Sequence, residues 1–76
     1  MSDPIQENVF HLNGKDYTEL NKLLKLLNLV STGGEANICI EQGEVTVNGA
    51  VELRKRNKLR HGYSVIFRDD KISIQD

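Results

Sequence analysis

The chain holds a single cysteine, Cys39, and one thiol can build neither an intrachain disulfide nor a zinc cage. It has no tryptophan, and its aromatics are two tyrosines and two phenylalanines: Phe10, Tyr17, Tyr63 and Phe67. All four fall in or near expected strands, so they are expected to be too few and too buried for a row of stacked bases. No apolar run approaches the ~18 residues of a membrane span. The start, Met1-Ser2-Asp3-Pro4, lacks the basic and apolar stretches of a signal peptide, and a soluble cytoplasmic protein is expected. Net charge is nearly absent too, at -1, which excludes a uniformly basic nucleic-acid coat. At 76 residues there is room for one domain with a small core, residues 1–76, and none for a multi-domain enzyme.

The balanced total hides a concentrated cationic segment. Arg54, Lys55, Arg56, Lys58 and Arg60 occupy seven positions with no acid among them, and His61 follows. Half of the ten basic residues lie there; the other five face all eleven acids. Such a segment attracts a polyanion locally without making the whole surface adhesive. Guanidinium forks fit paired phosphate oxygens, and ammonium groups act as point charges. In an extended stretch Arg54, Arg56, Lys58 and Arg60 would share one face, with Lys55 pointing away and Leu59 turned inward. The competing readings are a solvated loop that protects a sheet edge from aggregation, and a dock for an acidic protein partner.

Hydrophobic periodicity gives the order of elements. Residues 1–7 are polar and expected to be loose, and 8–12 fit a short strand. Asn13-Gly14 marks a turn. Asp16 to Glu19 reads as a capped helix start, followed by Leu20, Leu23, Leu24 and Leu27 on one face, with Lys22 and Lys25 opposite, in water. Thr32 and Glu35 have capping-box spacing, so a second helix starts there. Ala36, Cys39 and Ile40 form its buried stripe, Asn37 lies off it, Ile38 has no settled place, and Gly43 ends the helix. The period then falls to two: Val45 and Val47 precede Asn48-Gly49, a hairpin turn, and the chain returns through Ala50 to Leu53. Strands are also expected over 63–67 and 72–74. This is an α+β domain: a helix pair on a small antiparallel sheet of about four to five short strands.

Nothing in the sequence provides catalysis. There is no nucleophile–base pair and no cofactor signature. His11 and His61 have no carboxylate or cysteine at ligand spacing, so no metal is expected. His61 is better read as an additional phosphate donor. The turn Ser31-Thr32-Gly33-Gly34 presents the backbone N–H groups of a helix entrance, which can meet a phosphate or simply be capped.

The run from Glu35 to Gly49, E-A-N-I-C-I-E-Q-G-E-V-T-V-N-G, with its E-A pair, closing glycine and V-T-V-N-G hairpin, resembles the alpha-L RNA-binding domain of the S-four type. Val51 to Lys58, V-E-L-R-K-R-N-K, further resembles a small stand-alone subgroup of that family, the YbcJ-like proteins. The resemblance covers about residues 18–67. It implies non-catalytic binding of structured RNA, of the ribosomal or transfer class, in a setting such as a ribosome or ribonucleoprotein, by a monomer with no small-molecule substrate and no membrane. The face it implies combines helix two with the loop after the hairpin. Arg54, Lys55, Arg56, Lys58, Arg60 and His61 are the primary candidates; Thr32, Gly33, Gly34 and Asn37 are secondary. Many members carry arginine where Gly33 stands and basic residues where Asn37 and Ile38 stand. The electrostatic weight is therefore expected on the loop.

Overall fold

Leu20, Leu23 and Leu24 are fully buried, as their i, i+3, i+4 spacing requires, and they anchor a short helix to the sheet. The computed structural model describes residues 6–76. Its elements are β1 (Gln6–His11), β2 (Thr18–Glu19), α1 (Leu20–Leu26), α2 (Gly33–Glu41), β3 (Val45–Val47), β4 (Ala50–Val51), β5 (Lys58–Leu59), β6 (Ser64–Phe67) and β7 (Asp70–Gln75). The expectation that residues 1–7 are loose lies outside the described residues for 1–5, and Gln6 and Glu7 belong to β1.

The α+β expectation holds: two helices pack on a five-stranded sheet of order β1-β7-β6-β3-β4. The sheet is mixed rather than wholly antiparallel, because β1 runs parallel to β7. No hairpin joins these two strands, so no turn dictates their direction. A separate two-stranded sheet pairs β2 with β5. Strand alternation follows the period of two: Val45, Val47, Val65, Phe67, Ile72 and Ile74 are all buried. At the Asn48-Gly49 hairpin both central residues have positive φ, 52° and 86°, as a twisted two-residue turn demands.

Helix one corrects the expected start. It begins at Leu20, and neither Asp16 nor Glu19 caps it through a side chain. The backbone of Thr18 and Glu19 is committed to β5. The first helical N–H groups find distant partners instead: Leu20 donates to the Asn57 carbonyl and Asn21 to that of Lys55, both at 3.0 Å. Free helix-end donors must be satisfied somewhere, and here the cationic loop does it. Helix two begins as expected. Thr32 Oγ1 accepts from Glu35 N at 3.0 Å, and Glu35 Oε1 accepts from Ser31 N at 2.8 Å. Both helices end with the paired backbone bonds of a left-handed closure, through Asn28 (φ 58°) after α1 and Gly43 (φ 80°) after α2.

Cys39 lies in the core as expected, and burial, with help from Glu44, pushes its thiol up. Ile38 is exposed. Asn37 is half-buried rather than free: its Oδ1 accepts from Asn21 Nδ2 at 3.1 Å, which ties the two helices together.

Candidate nucleic-acid interface

The cationic segment has two parts that differ in structure. Residues 52–57 form a loop with a turn closed by Asn57 N donating to Arg54 O at 3.2 Å, and 58–59 form β5. The turn breaks the alternation expected for a fully extended stretch, so the four side chains do not form one uniform row. Around Leu59 the alternation survives. Leu59 is fully buried, and Lys58 and Arg60 flank it at the surface.

The cations also divide by partner. Arg54 folds back on Glu52: its Nε donates to Oε2 at 2.9 Å and its Nη2 to Oε1 at 3.2 Å. The Arg54 side-chain bond holds the Glu52 carboxyl below the usual carboxylate range. Lys55 turns to helix two and pairs with Glu41 at 3.1 Å, and outside the segment Arg68 pairs with Glu44 at 3.3 Å. Arg56, Lys58 and Arg60 form no ion pair among the described residues. Lys58 Nζ lies 4.9 Å, and Arg60 Cζ 5.6 Å, from the centroid of the Tyr17 ring. Cation–π contact leaves their charge uncancelled while limiting their freedom.

Helix one supplies what sequence reasoning missed. Because Leu20 and Asn21 bind the loop carbonyls, α1 lies against the cationic loop. A shallow groove there is bordered by Glu19, Asn21, Lys22, Lys25, Gly33 and Arg56. Lys22 and Lys25, which the sequence places simply in water, thus stand beside Arg56. Tyr17 is also misread by its sequence context: it lies outside any strand and is 37% exposed. Of the other aromatics, Phe67 is buried and Phe10 and Tyr63 are half-buried. Nothing local signals Tyr17's place beside the cations, since Lys58 and Arg60, about 40 positions later in the chain, reach over its ring.

The secondary candidates differ in what their groups already bind. The Thr32 hydroxyl is occupied by its capping bond, and the Glu35 carboxylate already sits at that helix entrance. Gly33 opens onto the groove, and a Cβ added there meets nothing within 4 Å. Gly34 is exposed. Asn37 is engaged with Asn21. His61 borders a different depression, formed by β6 and β7 with Ser64 and Lys71. The surface that does come together is Lys22, Lys25 and Arg56, continuing to Lys58 and Arg60 over Tyr17.

Residues 5–75 match the family model described as S4 domain. The chain is 40% identical over 65 residues to the putative RNA-binding protein YbcJ of Escherichia coli K12, an alignment that covers 86% of this chain and 93% of that protein. The match to the YbcJ protein of Shigella flexneri has the same identity and coverage. The solution structure of YbcJ from E. coli, described as revealing an alpha-L motif involved in RNA-binding, superposes with a TM-score of 0.70 at 37% identity, covering 100% of this chain and 92% of that one.

Proposed function

We propose, because this chain belongs to the S4 domain family, that it binds structured RNA of the ribosomal or transfer class without catalysing a reaction on it. The observation that carries this reading is the set of cations left without carboxylate partners among the described residues, Arg56, Lys58 and Arg60, next to Lys22 and Lys25 of α1. Phosphates are their natural partners, and contact with the backbone and shape of a folded RNA suits so few exposed aromatics. Helix two carries no basic residue, and its Glu41 already holds Lys55. The RNA therefore lies over helix one and the loop, with Arg54 and Lys55 at the margin. A ribosome or another ribonucleoprotein in the cytoplasm is the expected setting.

A salt titration of binding to RNA isolated by crosslinking tests this. About four neutralised phosphates give a log–log slope of roughly -3 to -4. A slope near zero would show that the phosphates are not what the chain recognises.

Gly33 provides a gain-of-function test. It lines the groove beside Lys22, Lys25 and Arg56, its backbone is not left-handed, and space around it is open. Gly33→Arg should raise RNA affinity about three- to fivefold at low salt by adding one phosphate contact. Stability should change little: replacing glycine gains up to ~1 kcal/mol of helix propensity, and a cation at a helix entrance loses a few tenths. Anisotropy titration and thermal unfolding read both quantities. Unchanged or weaker RNA binding by the folded variant would displace the RNA from this groove.

A further inference from the structure

We propose that a second groove, lined by Tyr17, receives one unpaired nucleotide of the bound RNA and selects a base that carries an exocyclic amino group. This rests on the RNA-binding reading and adds to it a pocket for a base.

The groove lies between the end of β1, the 13–17 loop and α1, is open to solvent on one side, and has a volume of about 650 Å³. That is within the ~300–1,000 Å³ of sites that hold small organic molecules. Phe10, Tyr17 and Leu26 give it apolar and aromatic walls, and Lys15, Asp16, Glu19 and Lys22 give it balanced charge. Leu26 is 59% exposed and Tyr17 37%. In a chain with four aromatics, an aromatic and a leucine left in water along one depression form a surface that a planar base can cover.

Continuity with the cationic surface singles out the occupant. Glu19 and Lys22 border both this groove and the one beside Arg56. Tyr17 lines this groove and also supports Lys58 and Arg60. A strand whose phosphates rest on Arg56, Lys22 and Lys58 therefore passes the groove mouth. The carboxylates of Asp16 and Glu19 offset Lys15 and Lys22, so the groove holds no surplus cation for a phosphate, and they accept hydrogen bonds from amino groups. Carboxylates read the amino edge of a base in this way. The base enters, and its phosphate stays outside on the cations. Adenine, cytosine and guanine present an exocyclic amino group; uracil presents none.

The test uses three RNA duplexes of about 16 base pairs: fully paired, with one bulged guanosine, and with one bulged uridine. Anisotropy is read at about 50 mM salt, where backbone binding is strong. The bulged-guanosine duplex should bind roughly tenfold more tightly than the paired one, and the bulged-uridine duplex less than threefold more tightly. Tyr17→Ala should remove the guanosine preference, read as the ratio of bulged-guanosine to paired-duplex affinity so that any loss shared by both through Lys58 and Arg60 cancels, and Tyr17→Phe should keep that ratio. Equal binding of all three duplexes, or a guanosine preference that survives Tyr17→Ala, overturns the base pocket and leaves the RNA-binding reading standing. Equal binding of the two bulged duplexes overturns the amino-group selection. Absence of binding to every duplex overturns the RNA-binding reading and the pocket with it.

Discussion

The triple variant Arg56→Glu, Lys58→Glu, Arg60→Glu should lose RNA affinity by about a hundredfold or more, and its log–log salt slope should flatten by roughly three. Each substitution removes a cation that has no carboxylate partner among the described residues and puts a repelling charge in its place. The fold should survive, because all three side chains are exposed. What is lost on the protein side is the contact of Lys58 and Arg60 with Tyr17, worth about 0.5–1 kcal/mol each at an exposed site. Circular dichroism confirms the folded state, and anisotropy at several salt concentrations gives both the affinity and the slope. Arg54→Gln serves as the contrast. Its guanidinium is already held by Glu52 through two side-chain bonds, so affinity should change by less than about threefold. Wild-type affinity in the triple variant, or a loss from Arg54→Gln as large as the triple's, would remove the loop from the interface.

The contrast between Arg54 and Arg56 also shows what the sequence could and could not convey. Both sit in one run of like charge, and composition weights them equally. Arg54 is neutralised by a residue two positions away, whereas Arg56 is turned outward by a turn that the spacing did not reveal. The leucine stripe, the Thr32–Glu35 cap, the Gly43 stop and the Asn48-Gly49 hairpin were legible because each depends on neighbours within a few positions. The family resemblance then covered most of the fold. The start of α1 was not legible, because residues more than 30 positions away supply its partners: Asn57 and Lys55. The same long-range contact places Lys22 and Lys25 beside the loop. Periodicity assigned them correctly to the exposed face and had no means of saying what they face.

That contact gives the interface a mechanical logic. A cationic loop in water gains entropy by being loose, and loose charges bind weakly because binding must order them. Here the loop supplies capping carbonyls to α1, pairs through β5 with β2, and is held to α2 by Lys55–Glu41. The exposed ion pair contributes little. The stronger restraint is apolar.

Leu59 is that restraint, and Leu59→Ala should cost about 2–5 kcal/mol. The side chain is fully buried, opposite Thr18 in the β2–β5 pair, with Lys58 and Arg60 on either side of it. A domain of 76 residues has a total stability of about 4–11 kcal/mol, so a single truncation here removes a large share. The urea midpoint should fall accordingly. Binding should weaken beyond what the unfolded fraction accounts for, because β5 and the α1 cap loosen together. Urea unfolding followed by helical dichroism gives the first quantity, and anisotropy well below the midpoint gives the second. A loss below about 1 kcal/mol with RNA affinity intact would mean that Lys58 and Arg60 are held by something other than the leucine between them.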